Sequence, residues 1–350
     1  MLTISYRTIN KHVRFLLYAL LRHLRINIAA PIFSLISQMA SMEKYSEDIK
    51  NKAIELGFHA AGFVDLSQIS RELKKFYDTW LEKDFHGDMA YLKKNAAQRF
   101  QPDLLLDNAK SAIVVLAPYN HGKPRLASNY KISRYAVGVD YHFVVKQKLA
   151  ELLSFIKSID PKTEGRAFTD TAPVPERFLA AQAGLGFIGK NGMLINPELG
   201  SYVFIGELYI NATLKYDKPL EGYSCGECTR CMQACPNNAI VAPGEVDSRR
   251  CISYKTIEHK GEFEAEANLS KHIFGCDICQ NVCPFNKNAP KIGWQEFRGK
   301  PEILNLSDEE WKQIGSSKFK KQFGNTVLFR TGLRRLRRNM NRIEKQKPDK

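Results

Sequence analysis

The reading turns on Cys225-Gly-Glu-Cys228-Thr-Arg-Cys231-Met-Gln-Ala-Cys235-Pro236, answered downstream by Cys276-Asp-Ile-Cys279-Gln-Asn-Val-Cys283-Pro284. With the lone Cys251 between them, these segments hold all eight cysteines of a 350-residue chain. A C-x2-C-x2-C-x3-C-P run brings several thiolates onto one tight loop, as ligation of a [4Fe-4S] cluster requires, and its fourth cysteine commonly serves the other cluster of a pair. Eight thiolates make two sites of four. The spacing therefore predicts Cys225, Cys228, Cys231 and Cys283 around one cluster, and Cys235, Cys251, Cys276 and Cys279 around the second. Zinc sites favour paired C-x2-C knuckles, and disulfide frameworks belong to small secreted domains; neither suits this run. Clusters pass single electrons, so the substrate chemistry belongs elsewhere in the chain.

Working outward, the composition is that of a globular protein, 44% hydrophobic and 25% charged. Thiol-ligated clusters call for a reducing compartment, so a cytoplasmic protein is expected. The net charge of +15 is concentrated at the two ends. Residues 1–41 carry Arg7, Lys11, Arg14, Arg22 and Arg25 and no acid, and residues 318–350 carry twelve Lys and Arg against Glu344 and Asp349. A basic tail on a near-neutral body points to a polyanion, nucleic acid before membrane. Phe15–Leu21 is apolar but too short to span a bilayer. The stretch 1–41 reads as an extension outside the fold, with Met42 (or Met39) as the expected working start.

From Glu43 onward helical and extended patterns alternate, predicting an α+β protein. Helices are expected over Glu43–Leu56, Ile69–Lys83, Tyr141–Ile159, Pro175–Gly184 and Glu309–Ile314. Strands are expected at Ala60–Val64, Ser111–Ala117, Arg166–Asp170, Met193–Ile195 and Tyr202–Ile210. Gly184-Leu-Gly186-Phe-Ile-Gly189 satisfies G-x-G-x-x-G, but a helix precedes it and a strand follows, the reverse of a dinucleotide fingerprint. A tight turn bringing backbone close to a flat ligand is the better reading. Asp140-Tyr-His142 is read first as an N-cap for the helix starting at Tyr141, and second as a chemical group. Leu333–Ile343 spaces apolar residues helically with arginines opposite, so one face can dock while the other meets phosphates.

Three further segments, Asp170-Thr-Ala-Pro-Val-Pro-Glu-Arg177, Ala183–Asn191 and Gly200-Ser-Tyr-Val-Phe204, taken with the cysteine block, resemble the epoxyqueuosine reductase family from about Met42 to Arg342. The resemblance implies a cobalamin-holding α/β sandwich domain at 42–216, of reductive-dehalogenase-like architecture. It also implies a ferredoxin-like domain with two [4Fe-4S] clusters at 217–300 and a basic helical tail at 301–350. The implied activity is reduction of epoxyqueuosine to queuosine in tRNA anticodons; the alternative is a cobalamin-dependent reductase of a small molecule.

By the same resemblance Asp170 is the expected proton donor, its acid raised by burial, and Arg177 an active-site partner. Arg99, Ser133, Asp170, Leu194, Asn196, Ile205, Ser253 and Asp277 are expected around base-off cobalamin. Lys260, Arg334, Arg335, Arg337 and Arg338 are expected to contact RNA. The implied partners are tRNA and an electron donor, with no membrane; a monomer is expected.

Overall fold

The computed structural model describes residues 29–264 and 267–346. The apolar stretch at Phe15–Leu21 lies outside the described residues. Contacts divide the chain into two units, Met1–Asp48 and Ile49–Lys350. Helix α1, Ala29–Glu55, begins upstream of Met42, so the expected start falls inside a helix. Among the described residues no helix is long and apolar enough to cross a membrane.

The second unit is built on one antiparallel sheet ordered β1-β2-β7-β4: β1 Ala60–Asp65, β2 Ser111–Pro118, β7 Val203–Ile210 and β4 Gly165–Phe168. Short pairs complete the set: β3 Lys131–Ile132 with β10 His272–Phe274, β5 Phe187–Ile188 with β6 Leu194–Ile195, and β8 Ile240–Ala242 with β9 Glu245–Val246. Every residue of β2 is buried, because it is central and covered on both faces. A strand covered on both faces reads as a continuous apolar run rather than an alternation, which is the pattern of Ser111–Ala117.

Helices follow the same logic. The helix over Arg71–Glu82, α2, is capped by Ser70, whose hydroxyl accepts from Leu73 N–H. The long helix α3, Tyr141–Ile159, is capped by Asp140 and buries Val145, Leu149, Leu152 and Ile156 on one stripe. Gly206 of β7 lets it approach: a Cβ there would stand 2.7 Å from Val145 Cγ1. The opposite face of the sheet is covered by α4, Glu176–Gln182, through Leu179 and Ala180. There Gly62 of β1 is pressed against the end of the helix, where a Cβ would meet Ala183 O at 2.3 Å.

The G-x-G-x-x-G stretch does follow a helix and lead into a strand. A Cβ on Gly186 would stand 2.5 Å from Ile195 O, and one on Gly189 2.4 Å from Ile195 Cδ1. These glycines let the β5–β6 hairpin close on itself; they do not cradle a phosphate.

The cysteine-bearing segments carry α5 Arg230–Ala234, α6 Ile252–Ile257 and α7 Ile278–Asn281. Beyond them α8, Leu333–Lys345, buries Leu333, Leu336, Asn339 and Met340. Asn339 is fully buried and donates through Nδ2 to Thr256 O and Ile273 O, both at 2.9 Å. The arginine-rich helix is thus bolted to α6 and β10, and β10 in turn pairs in parallel with β3.

Candidate active site and cluster cavities

The cysteines sort themselves by position. Cys225, Cys228, Cys231 and Cys283 ring one cavity of about 130 Å³, together with Lys190, Asn191, Pro284 and Phe285. Cys235, Cys251, Cys276 and Cys279 stand in the wall of a second, about 470 Å³. Tertiary contact between α5 and α7 makes this exchange possible: Cys235 sits at the C-cap of α5, and Cys283 follows α7. Backbone donors face two sulfurs, Lys190 N–H to Cys225 Sγ at 3.4 Å and Ala239 N–H to Cys235 Sγ at 3.3 Å. Among the described residues no three His, Cys, Asp or Glu close around a single-ion position; each cysteine set surrounds a space. All eight thiols are free. Burial pushes the thiols of Cys251, Cys279, Cys283 and Cys276 up, the last to about 12, with neighbouring thiolates adding to the effect. Such a site favours thiolates only when cationic iron supplies the compensating charge. The donor sets fit two four-iron clusters.

The larger cavity continues past the second cysteine set. Arg99, Tyr119, Ser133, Arg177, Asn191, Met193 and Ser253 share its wall. A neighbouring cavity of about 540 Å³ is lined by Tyr141, His142, Asp170, Arg330 and again Ser253 and Cys251. The two therefore share a wall. Ser133 Oγ donates a short hydrogen bond to Asp277 Oδ1, and Asp277 Oδ2 accepts from Arg134 N–H at 2.8 Å. Burial raises the Asp277 acid, while these donors hold it back. Arg99 donates from Nη1 to Val174 O at 2.6 Å, and its buried Nε has no partner. Arg177 donates from Nη1 to Gly192 O.

Three further residues expected around the cofactor, Leu194, Asn196 and Ile205, are not among those that line the two cavities. Leu194 is buried in the core beneath α4, and Ile205 packs against the same cluster. Asn196 donates to Leu185 O and accepts from Glu198 and Leu199 N–H, closing a turn. The turn at Gly192, with φ 75°, lies between Asn191 and Met193 on the cavity wall, and Leu194 follows in the core.

Asp170 lines the outer cavity. It has a left-handed backbone, φ 56°, where β4 gives way to the loop before α4. Half of its side chain faces the open cavity. His142 Nε2 lies 3.2 Å from Asp170 Oδ2, and His142 Nδ1 lies 2.6 Å from Asp140 Oδ1. Asp140 also accepts from His142 N–H at 3.0 Å. The N-cap reading of Asp140-Tyr-His142 is borne out, and the capping carboxylate also holds the imidazole that lines the cavity.

For Asp170 the rise expected from burial is opposed by its neighbours. Burial does raise its acid, but the hydrogen bond and charge of His142, aided by Tyr141 and Arg330, outweigh burial and hold it below the ordinary carboxylate value. Burial likewise opposes charge on His142, yet hydrogen bonds to Asp140 and Asp170 lift it to about 9. Near neutral pH the proton resides on the imidazole.

The sequence reading missed Glu176, whose Oε1 accepts a short hydrogen bond from Asp170 N–H. It also missed Arg330, which lines the cavity and pairs with Glu258 at 3.0 Å. Arg330 was submerged in a basic run; only the fold separates it from its neighbours.

The arginines of α8 divide in the same way. Arg338 donates to His259 O, Gly261 O and Lys255 O and lies over the Phe263 ring. Arg335 donates to Ile257 O and Arg337 to Ile314 O. These contacts staple the helix down; Arg335 and Arg338 are half-buried, while Arg337 stays exposed. Arg334 and Lys260 are exposed.

An α+β sheet joined to paired thiol cavities, with a carboxylate and imidazole facing a large pocket, defines an iron–sulfur oxidoreductase. Residues 224–286 match the family model "4Fe-4S double cluster binding domain", and residues 99–171 match "Epoxyqueuosine reductase QueG, DUF1730". The epoxyqueuosine reductase of Cellulophaga algicola is 40% identical over 304 residues, 86% of this chain and 99% of that protein. A solved epoxyqueuosine reductase with an epoxyqueuosine-modified tRNA-Tyr stem loop is similar at TM-score 0.78 and 31% identity, covering 86% of this chain and 80% of that one. The Bacillus subtilis enzyme, solved with its catalytic aspartate loop swung out of the active site, is similar at TM-score 0.76 and 30% identity, covering 86% and 81%. The chain belongs to the epoxyqueuosine reductase family.

Proposed function

We propose that this chain reduces epoxyqueuosine to queuosine at the wobble position of tRNA anticodons, with Asp170 as the group that protonates the departing epoxide oxygen. The observation that carries this reading is the shared wall. The Asp170 cavity and the cavity reaching Cys235, Cys251, Cys276 and Cys279 both include Cys251 and Ser253, so an electron path and a proton source converge. Residues 42–216 supply one side of the substrate and cofactor pocket, 217–300 the two clusters and the facing wall, and 301–350 the basic tail with Arg330 at the pocket.

The inner cavity suits a large flat cofactor, and the orphaned Arg99 Nε offers a donor there. Arg99, Ser133, Arg177, Asn191, Met193 and Ser253 would hold base-off cobalamin, which when bound supplies low-potential reducing chemistry at cobalt. The chain's own residues do the rest. Asp140 fixes the imidazole, His142 carries the proton, and Asp170 passes it to an oxygen that gains basicity as its carbon bond breaks. Water exclusion by the nucleoside would disfavour the charge-separated His142–Asp170 pair, favouring transfer from His142. A single-stranded anticodon loop can splay one base into such a cavity, with exposed Lys260 and Arg334 meeting the backbone. The protein acts as a cytoplasmic monomer fed by a separate electron donor.

The test is reconstitution. The protein is purified anaerobically with its clusters, cobalamin is added, and the visible spectrum is read for base-off cobalamin. Epoxyqueuosine-containing tRNA is then supplied with a chemical reductant. Conversion to queuosine is the expected result. Bound cobalamin without conversion, alongside an active relative as control, would overturn the assignment.

A further inference from the structure

Glu207 lies on the central strand β7, registered between Val114 of β2 and Phe168 of β4. It is fully buried, no donor reaches either carboxyl oxygen, and its carboxyl meets that of Glu176. An ionised carboxylate there would be an uncompensated charge in the core. The strand alternation directs its side chain to the face covered by α4, and α4 begins with Glu176. Glu176 is the residue whose Oε1 takes the Asp170 N–H.

The loop carrying Asp170 is tied at both ends. Thr169 Oγ1 donates to Ile205 O at 2.8 Å, and Arg99 holds Val174 O at 2.6 Å. Between these anchors, the left-handed turn at Asp170 is held by Glu176. We propose that Glu207 and Glu176 share one proton, and that this proton latches the Asp170 loop in its catalytic position. Glu207 is then a positioning residue that acts through Glu176.

With one proton present, the Glu207 acid faces the Glu176 carboxylate, which keeps the negative charge that draws the Asp170 N–H. With the proton gone, two carboxylates oppose each other beside a third, Asp170. Glu176, in the first turn of α4, is half-buried where Glu207 is fully buried, so it is the one free to withdraw and the turn loses its acceptor. The groups facing the pair are Asp170 with His142 and Tyr141, Arg99 from the 96–100 helix, Arg177 of α4, and Tyr209 of β7. Arg99 and Arg177 turn Nη1 to the carbonyls of Val174 and Gly192 rather than to a carboxylate. Burial first, then Asp170, lifts the Glu176 acid to about 8, against the pull of Arg177 and Arg99. Burial and Glu176 together lift Glu207 further.

The latch rests on Asp170 being the proton donor, but it is measured without turnover. The probe is backbone hydrogen exchange over residues 169–174 in the cluster-loaded full chain without tRNA, from pH 6 to pH 9.5, corrected for intrinsic base catalysis. Wild-type protection should fall about tenfold across that range as the pair loses its proton. Glu207→Gln, whose amide donates without ionising, should hold protection to the alkaline end. Glu176→Gln, which keeps an acceptor oxygen but no charge, should do the same. Identical profiles for wild type and both variants, or a pH-independent wild type, would overturn the latch. Should Asp170→Asn turn over normally while the exchange profiles behave as stated, the donor reading falls and the latch stands.

Discussion

His142 Nε2 sits 3.2 Å from Asp170 Oδ2, and this contact sets which of the two carries the proton. The imidazole, lifted to about 9, is charged; the carboxyl, held low, is not protonated. The acid that serves the reaction is therefore the pair, with Asp170 as its reaching end.

Replacing Asp170 by Asn removes that end and keeps the shape. Turnover should fall by roughly 10²- to 10⁴-fold, the range of a general acid, with tRNA affinity within about twofold of wild type. Single-turnover conversion and a filter-binding titration check both halves, and a turnover loss under tenfold would remove Asp170 from the role.

His142→Gln should change the pH profile rather than abolish cofactor loading. In the wild type, proton delivery is intact while the imidazole is charged and is lost as pH rises through about 9. The variant lacks that alkaline limb and is slow throughout. A wild-type profile flat from pH 7 to pH 10 would contradict the assignment of the proton to His142.

Stability should follow the same groups. His142 is raised from its ordinary 6.5, so its contribution is full below that pH and is lost as pH climbs through about 9. Asp170 is depressed from 3.8, so its contribution is present above that value and fades as pH falls below it. Thermal melts of wild type and His142→Gln should differ most between about pH 4 and pH 6.5 and converge at pH 10.

Arg334 and Arg338 stand on one helix and should separate cleanly. Arg334→Ala should weaken tRNA binding and reduce the salt dependence by about one phosphate contact, leaving the melting temperature alone. Arg338→Ala strips donors from three carbonyls and should cost about 1–3 kcal/mol of stability with little change in the salt slope. Denaturant melts and binding at several salt concentrations distinguish them.

Cys283→Ala should remove one cluster and about half the iron. Cys225→Ala should give the same spectrum, because both line one cavity. Differing residual spectra would show that the two thiols serve different clusters.

Much of this was readable from the chain. The fully buried β2 announced itself as an unbroken apolar run, and helix α3 begins at Tyr141 as its Asp140 cap requires. The cysteine spacing supplied the chemistry of the clusters. Other features depended on neighbours that no local pattern reveals. Glu207 stands in Val203–Ile210, where an acid in a strand ordinarily marks a solvent face; coverage of β7 by both α3 and α4 buries it instead. Leu194 lies in the core while Asn191 and Met193 line the cavity, a division made around Gly192, whose φ is positive. Arg338 looked like its neighbours on α8, and only the carbonyls of residues 255–261 decide that it faces inward. The depressed Asp170 acid required His142, twenty-eight positions away, to be in contact.

The parallel pairing of β3 with β10 joins residue 132 to residue 274. Directly beside it Ser133 meets Asp277. The two stretches that an engineer would separate as a pocket module and a wiring module are therefore halves of one wall. Cutting the loop near Gly222 should leave a nicked but associated protein, whereas transplanting residues 224–286 alone would deliver clusters with one side of their housing missing. Spacing between donor and acceptor in this enzyme is thus set by a seam inside the fold, not by a linker, and lengthening residues 217–222 should leave the electron-transfer rate unchanged.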